Sequence, residues 1–251
     1  MKYKKLEKEW EFNVLGVDNF RISGKLSNYY QFIRDNHQSI PGDICEVGVF
    51  RGSSLLATAM LLQELGSDKI VWGFDSFEGF PQYHENDKLE KFDDLHKSGS
   101  ISSAMYEDVK KNQEFKSFMS KRDIDVTNIS TSGDFSDTSY EFLMEKIEYF
   151  GLENIRLVKG DFADTMKSTA EDPDSFMAGL IDCDLYLGYQ VSLPYVWERL
   201  SKGGYLYLDE YYSLKFAGAR IATDEFFTDQ EQKPEQHPIV TGAFERWFVT
   251  K

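Results

Sequence analysis

Short apolar runs rich in β-branched residues alternate along the chain with longer stretches whose apolar positions recur every three or four residues. The first pattern predicts strands and the second predicts helices, and their alternation favours a doubly wound, mainly parallel sheet with helices on both faces. The predicted strands are 43–49, 69–75, 155–159, 177–182 and 205–209, with a final antiparallel pair within 239–249. The predicted helices are 27–39, 53–65, 138–150, one that ends near Leu200, and 217–227. We therefore expect a single α/β domain over 1–251, with an N-terminal helical segment over 1–40.

One stretch, 76–137, breaks this alternation, being polar and charge-rich with a helix-like piece near 105–119. An excursion of that length is uncommon inside a domain unless it serves a function. Because it leaves the second strand at the edge where open α/β sheets bind ligands, we expect a lid-like insertion over a site. The alternative is a solvated surface excursion.

The charge of the chain narrows its choice of partners. Asp and Glu total 43 against 28 Lys and Arg, a net charge of −15, which repels phosphate backbones and anionic lipid heads. We therefore expect neither nucleic acid nor a membrane as partner. No apolar run approaches the ~18 residues of a transmembrane helix, and no signal peptide is visible, so a cytoplasmic location is expected.

Two further features of the composition bear on packing. Cys45 and Cys183 lie in apolar strand-like runs, so we expect both in the core. The first 26 residues carry apolar side chains, among them Trp10 and Phe20, that offer a surface for a second subunit. A homodimer or a higher homo-oligomer is therefore an expectation.

Carboxylates gather at the predicted strand ends, which converge on one crevice in a doubly wound sheet. These residues are Glu46, Asp75, Asp161, Asp182, Asp209 and Glu210. A single carboxylate after a strand often caps the next helix, and capping is the alternative here. Carboxylates at five strand ends together favour a ligand site.

The sequence of the loop after the first predicted strand indicates that a ligand can come close to the backbone there. Glu46, Gly48 and Gly52 form an E-x-G-x-x-x-G pattern that opens a helix, where small residues leave room for a ligand. Residues 49–51 are large, although a pyrophosphate loop needs bare backbone at those positions. The loop therefore disfavours a dinucleotide.

Three further side chains extend this site toward a nucleoside. Asp75 ends the second strand, where a carboxylate bonds ribose hydroxyls. Asp161 offers an acceptor to an adenine amino group, and Phe162 offers an aromatic wall. Adenosine recognition without a phosphate cradle favours S-adenosylmethionine over NAD. The Ser53-Ser54 pair at the start of the next helix is then a candidate for binding the methionine carboxylate of this ligand, with N-capping as the alternative for Ser53.

Several segments in a fixed order resemble the motifs of the macrocin-type (TylF) O-methyltransferases over about 40–250. They are 41–52 (PGDICEVGVFRG), 73–81 (GFDSFEGFP), 160–162 with Thr165, 181–186 (IDCDLY), and 208–211 (LDEY) with 218–220 and 224–226. The resemblance implies a class I methyltransferase fold, S-adenosylmethionine as donor, a divalent cation, usually magnesium, and a sugar hydroxyl as acceptor. It also implies that Ser76 and Asp182 help to bind the donor. The family more often has Asp-Asp where this chain has Asp209-Glu210.

The strand ends also predict a metal site and a base. Strands four and five should be neighbours about 4.8 Å apart, so Asp182 and Asp209 can share one ion with Glu210. Oxygen-only ligands suit magnesium, manganese or calcium. Asp184 projects from the same strand end as Asp182 and is our candidate general base. The alternative for Asp184 is a cap on the following helix.

These residues favour a metal-dependent O-methyltransferase acting on a sugar hydroxyl of a natural product or a surface glycan precursor. A catechol-type O-methyltransferase has similar acids but usually has a Lys three positions after the first one, where this chain has Leu185. A nicotinamide-dependent sugar-nucleotide enzyme is disfavoured by the missing G-x-G-x-x-G. A non-catalytic ligand-binding module is the remaining alternative.

Overall fold

The computed structural model, which describes residues 6–167, 173–239 and 244–251, has one mixed sheet of seven strands in that part of the chain. The strands are β1 (Asp43–Val47), β2 (Val71–Asp75), β3 (Ile155–Lys159), β4 (Phe176–Ile181), β5 (Leu200–Leu208), β6 (Glu235–Gln236) and β7 (Trp247–Thr250). Their order is β3-β2-β1-β4-β5-β7-β6. Strands β1 to β5 are parallel, and β7 is antiparallel to both β5 and β6. The predicted fold class is confirmed.

Helices connect the parallel strands, as the alternation of patterns predicts. The α-helices of the described residues are α1 (Glu9–Leu15), α2 (Ser27–Asn36), α3 (Ser53–Glu64), α4 (Lys91–Ser98), α5 (Ser103–Ser120), α6 (Tyr140–Phe150), α7 (Phe162–Thr165), α8 (Tyr186–Arg199) and α9 (Gly218–Phe227). Two 3-10 helices lie at Glu85–Asp87 and Asp209–Tyr212. The predicted helices correspond to α2, α3, α6, α8 and α9.

Neighbouring residues of β1 point into two separate cores. Ile44 belongs to a buried cluster with residues of α2, α3 and α6, and Cys45 belongs to a second cluster with residues of α8 and α9. Because successive residues of a strand face opposite sides of a sheet, these helices divide between its two faces. Cys45 and Cys183 are both free and buried, as predicted.

The segment 76–137 is partly helical and contributes to two small buried clusters that it shares with later parts of the chain. It contains α4 and α5, and α5 covers the helix predicted near 105–119. Phe92 and Val109 are buried in one of these clusters together with Ala217, which directly precedes α9. The segment therefore packs against the domain, and its role as a lid stays a prediction.

The two final strands are partly displaced from their predicted place. β7 overlaps the predicted stretch 239–249, but β6 lies upstream of it. β6 has two exposed polar residues, so no apolar alternation marks it, and it forms by pairing Glu235 with Phe248 of β7. Residues 240–243 of the predicted stretch lie outside the described residues.

The N-terminal segment divides its apolar side chains between the core and the surface. Phe12 and Phe20 are buried, whereas Trp10 is 59% exposed and Val14 is 76% exposed. A partner subunit on this surface stays a prediction. Among the described residues, no helix combines the length and the apolarity that a membrane crossing requires.

Candidate active site

A cavity of about 460 Å³ lies at the carboxyl ends of β1 to β4, where open α/β sheets bind ligands. Most of the residues predicted to bind a donor or to act as base line it. They are Gly48, Ser54, Asp75, Ser76, Asp161, Phe162, Asp182 and Asp184. Glu46, Asp209 and Glu210 are not among the lining residues, although Glu46 contacts Ser54 and Glu210 contacts Asp184, which are.

Gly48 sets the path of the loop after β1. Its φ of 88° turns the chain and ends β1 before the predicted limit, and a Cβ at this position would lie 1.9 Å from the backbone oxygen of Asp182. Only glycine combines this φ with so close an approach. The loop after β1 therefore passes directly over the end of β4, and its Gly48 lies next to Asp182.

Asp75 holds the same loop through its carboxylate. Oδ2 accepts hydrogen bonds from the amides of Val49 and Phe50, both at 2.8 Å, and Oδ1 accepts one from the amide of Phe77 at 2.6 Å. A carboxylate has about four acceptor positions, so Oδ1 retains capacity for a ligand hydroxyl. Asp75 thus shapes the loop in addition to facing the cavity.

Glu46 is fully buried on β1 and reaches the cavity only through Ser54. Its Oε1 accepts a hydrogen bond from Ser54 Oγ at 2.8 Å, and Oε2 has no hydrogen-bond partner within the described part of the chain. Burial raises the pKa of Glu46 to about 8, although the bond from Ser54 opposes the shift. Glu46 does not line the cavity itself, and its contact with a donor stays a prediction.

The far wall of the cavity is apolar and comes from α7 and α8. Phe162 of α7 and Leu187 and Val191 of α8 all line the cavity. Asp161 caps α7 by accepting a hydrogen bond from the amide of Ala163 at 2.8 Å. Sequence reasoning missed Leu187 and Val191, whose i, i+4 spacing on a helix was the available signal.

The segment 76–137 supplies the remaining wall. Phe80 and Phe135 line the cavity beside Phe50, with ring centroids of Phe135 at 4.9 Å from Phe80 and 5.2 Å from Phe50. Arg51 forms an ion pair with Asp137 at the end of the segment. These contacts tie the segment to the loop after β1 and close the cavity on that side.

Backbone strain gathers around this cavity. Among the described residues, five non-glycine residues have positive φ, and four of them line or adjoin the cavity: Phe50 (51°), Phe77 (56°), Phe135 (61°) and Asp184 (60°). Left-handed backbone is unfavourable for bulky residues and persists only where surrounding contacts impose it. Strain of this kind is typical of functional sites.

An acidic cluster adjoins the cavity at the ends of β4 and β5. Carboxylate oxygens of Asp182, Asp184 and Glu210 lie within 4.8 Å of one another. Asp209, a predicted ligand together with Asp182 and Glu210, is not in this group of three, and its Oδ2 lies 2.6 Å from Lys25 Nζ. The structure therefore brings Asp182 and Glu210 together as predicted, with Asp184 as their nearest acidic neighbour.

Glu210 is held in the cluster by α8. Its Oε2 lies 2.8 Å from the hydroxyl of Tyr189 and accepts a longer bond from the amide of Asp184 at 3.3 Å. Burial, followed by the charges of Asp182 and Asp209, raises the pKa of Glu210 well above its usual value. No sequence pattern marks Tyr189 as a site residue, because it lies on a buried helix face.

Asp184 does not cap α8, so the alternative role that the sequence offers for it is wrong. The helix begins after Leu185 without a side-chain cap, and the amide of Tyr186 donates to Asp87 of the segment 76–137 at 2.8 Å. Asp184 Oδ1 lies 3.3 Å from Lys215 Nζ. Burial raises the pKa of Asp184 to about 6, against the opposing charge of Lys215.

The side chains of the acidic cluster suit a hard divalent cation. Their possible ligand atoms are all carboxylate oxygens, which Mg²⁺, Mn²⁺ and Ca²⁺ prefer. Asp209 Oδ1 is buried and has no hydrogen-bond partner among the described residues. Lys25 Nζ lies 2.6 Å from Asp209 Oδ2 and 3.7 Å from Asp182 Oδ2, so a positive charge already lies between the two strand ends.

Two solved structures share the fold of this chain. The O-methyltransferase NovP aligns over 90% of this chain and 79% of its own, with 22% identity and a TM-score of 0.62. CalS11, a calicheamicin methyltransferase, aligns over 97% of this chain and 80% of its own, with 17% identity and a TM-score of 0.59. The fold is therefore that of the class I methyltransferases.

A family model described as macrocin-O-methyltransferase (TylF) matches residues 23–138 and 119–243. The chain belongs to this family, which confirms the resemblance seen in its motifs. It is 26% identical over 205 residues to the demethyldecarbamoylnovobiocin O-methyltransferase of Streptomyces niveus, covering 80% of this chain and 64% of the relative. It is 27% identical over 177 residues to the mycinamicin III 3''-O-methyltransferase of Micromonospora griseorubida, covering 68% and 56%. The chain thus spans less than two thirds of the length of these relatives.

Proposed function

We propose that this protein is a metal-dependent O-methyltransferase that moves a methyl group from S-adenosylmethionine to a sugar hydroxyl of a natural product or a surface glycan precursor. One observation carries the proposal: a single cavity joins the loop at Gly48 and Asp75 to the carboxylates of Asp182 and Asp184. The names of the relatives, which methylate novobiocin- and mycinamicin-type compounds, support the same reaction.

The donor fits the side of the cavity formed by β1, β2 and β3. Asp75, Phe162, Val191 and Ser54 line this side of the cavity. Asp75 would bind the ribose hydroxyls, Phe162 and Val191 would pack on the adenine, and Ser54 at the start of α3 would bind the methionine carboxylate. Ser76, Asp161 and the backbone at Gly48 complete the donor contacts. An apolar wall with a few polar groups at fixed places is typical of a nucleoside site.

The acceptor hydroxyl then lies at the acidic end, where Asp184 takes its proton. The hydroxyl oxygen attacks the methyl carbon, the carbon–sulfur bond breaks, and its electron pair stays on the sulfur of S-adenosylhomocysteine. A base works best when its pKa lies near the operating pH, and the raised pKa of Asp184, about 6, suits this task better than that of an exposed Asp.

Asp182, Asp209 and Glu210 are the residues that would hold the divalent cation, which we propose to be Mg²⁺. When bound, such a cation lowers the pKa of a hydroxyl and orients it. Tyr189 fixes Glu210 for this task, so the Glu in place of the more frequent Asp keeps a defined position.

Formation of S-adenosylhomocysteine measures the reaction whatever the acceptor is. The purified protein is incubated with S-adenosylmethionine and a panel of nucleotide-linked and aglycone-linked deoxysugars, and products are read by mass spectrometry. We expect a mass gain of one methyl group on at least one sugar, lost with excess chelator and restored by Mg²⁺. Binding of neither S-adenosylmethionine nor S-adenosylhomocysteine would refute the proposal, and full turnover under chelation would refute its metal part.

The remaining proposals concern the partners, the location and the oligomeric state of the protein. We propose a small sugar-containing acceptor, no nucleic-acid or membrane partner, a cytoplasmic location, and a homodimer or a higher homo-oligomer. The net charge of −15 supports the exclusion of polyanions, and the exposed Trp10 and Val14 support self-association. Light scattering after size exclusion tests the oligomeric state directly.

A further inference from the structure

Lys25 places its ammonium group between the two strand ends that carry the proposed metal ligands. Its Nζ lies 2.6 Å from Asp209 Oδ2 and 3.7 Å from Asp182 Oδ2. The residue comes from the loop between α1 and α2, far from both carboxylates in sequence. No motif of the chain accounts for this contact.

We propose that Lys25 is an internal cation that competes with the divalent ion for Asp182 and Asp209, so that the ion binds by displacing the ammonium group. This inference rests on one part of the proposed function, namely that Asp182 and Asp209 are ligands of a divalent ion. Lys25 thereby lowers the affinity of the site for metal. When no metal is bound, it keeps the carboxylates of Asp182 and Asp209 in position.

The backbone of Lys25 is fixed, so its displacement is a rotation of the side chain. The carbonyl oxygen of Lys25 accepts a hydrogen bond from the hydroxyl of Tyr207 on β5 at 3.2 Å, and the next residue, Leu26, is buried. The side chain of Lys25 is nevertheless 45% exposed, whereas that of Asp209 is 10% exposed. Lys25 can therefore turn toward water without unfolding the loop.

The cluster needs a positive charge when no ion is bound. Asp182, Asp184, Asp209 and Glu210 are close enough to affect one another's ionisation, and each repels the others when charged. Lys215 contacts Asp184 on one side, and Lys25 contacts Asp209 and Asp182 on the other. Loss of Lys25 leaves two of these carboxylates without their contact to a cation.

Two cations cannot share this place at low cost. An ion that binds both Asp182 and Asp209 must come close to their oxygens, and Lys25 Nζ is already within 4 Å of each residue. Like charges at such a distance repel each other strongly in a partly buried site. Binding of the ion and the contact of Lys25 are therefore mutually exclusive.

Calorimetric titration with Mn²⁺, in the presence of S-adenosylhomocysteine, tests the competition. Lys25→Met removes the charge and keeps the length of the stem, and Lys110→Met is the matched control because Lys110 Nζ makes a similar 2.6 Å contact to Asp93 in the segment 76–137. We expect Lys25→Met to bind Mn²⁺ about tenfold tighter or more. We expect Lys110→Met to match the wild type. Equal or weaker binding by Lys25→Met overturns the inference.

Thermal unfolding supplies a second reading that does not depend on catalysis. With chelator present, Lys25→Met should melt at a lower temperature than the wild type, and saturating Mn²⁺ should remove the difference. If Lys25→Met does not fold without metal, Lys25→Gln replaces it in both measurements. A melting difference that Mn²⁺ leaves unchanged overturns the inference.

The outcome also separates this inference from the proposed function. If wild type and Lys25→Met bind Mn²⁺ with the same affinity, the metal centre stands and only the role of Lys25 falls. If neither protein binds Mn²⁺, the proposed metal centre is wrong and the role of Lys25 falls with it.

Discussion

The hydroxyl of Tyr189 lies 2.8 Å from Glu210 Oε2 and accepts a hydrogen bond from the amide of the same residue at 3.2 Å. A side chain on α8 therefore fixes both the backbone and the carboxylate of the residue that follows Asp209. Glu has one more rotatable bond than Asp, and this double contact removes the freedom that the bond adds.

Tyr189→Phe should weaken binding of Mn²⁺ by about tenfold or more, because groups that orient a ligand commonly contribute 10–100-fold to metal affinity. Calorimetry measures the change. Tyr205→Phe is the matched control, since its hydroxyl lies on β5 and contacts His237 at 2.7 Å, away from the cluster. Equal affinities for Tyr189→Phe and the wild type would contradict the role of Tyr189.

Asp184→Asn should lower the rate of methyl transfer by about 10²–10⁴-fold while the affinity for S-adenosylhomocysteine stays the same. Asn tolerates left-handed backbone, so the φ of 60° is not a source of unfolding. The measurement is kcat with saturating donor and metal. Asp87→Asn is the control, because this nearby buried Asp serves α8 and not the cavity. A loss of metal affinity with a normal rate at saturating metal would make Asp184 a ligand and not a base.

Asp75→Ala should weaken binding of S-adenosylhomocysteine by about tenfold or more. Hydrogen bonds to a charged group contribute roughly 1.5–3 kcal/mol, and the variant also releases the amides of Val49 and Phe50. Calorimetry against Asp164→Ala, an exposed Asp on the neighbouring α7, controls for the loss of charge. The ribose assignment fails if the two variants bind equally well.

Glu46→Gln should flatten the dependence of stability on pH. In the folded chain the pKa of Glu46 is about 8, against an ordinary value of 4.5, so the folded state binds more protons between these values. The free energy of unfolding therefore falls as pH rises across that window, by at most about 1.4 kcal/mol per pH unit. The charged residues that act on Glu46, namely Asp18, Asp75 and Asp182, are all acidic and act in the same direction.

Denaturant unfolding at about pH 5 and about pH 8.5 measures the effect. The stability lost by the wild type over this range should be smaller in Glu46→Gln, which still accepts the bond from Ser54. The exposed Glu145 of α6 supplies the control variant Glu145→Gln, which should follow the wild type. Parallel curves for wild type and Glu46→Gln would show that Glu46 is ionised throughout.

Local periodicity predicts the central elements well, because each is long or apolar enough to show its period. β3 has the predicted limits 155–159, and α6 begins two residues after the predicted 138 and ends as predicted at Phe150. β6 escapes prediction because its two polar residues form a strand only by pairing with β7. Elements that carry their own pattern are therefore predictable, and those that tertiary pairing creates are not.

The candidate site also has a part that the sequence predicts and a part that it does not. The strand-end carboxylates follow from topology, since parallel strands end at one edge of the sheet. The contact of Lys25 with Asp209 spans 184 positions and starts from a loop, so no local pattern encodes it. Which carboxylate turns to the cluster and which to Lys25 depends on side-chain packing, as Asp184 and Asp209 show.

The left-handed residues around the cavity have a consequence for attempts to engineer this enzyme. Replacing Phe50, Phe77 or Phe135 by Gly would relieve the strain of the left-handed backbone. The same replacements delete aromatic rings at or beside the cavity wall. Loss of a buried Phe ring commonly costs about 3–5 kcal/mol, more than the relieved strain returns, so the ring contacts keep these residues in their left-handed conformation. Backbone geometry and the aromatic wall of the pocket therefore change together, and screens on this fold should score ligand retention together with melting temperature.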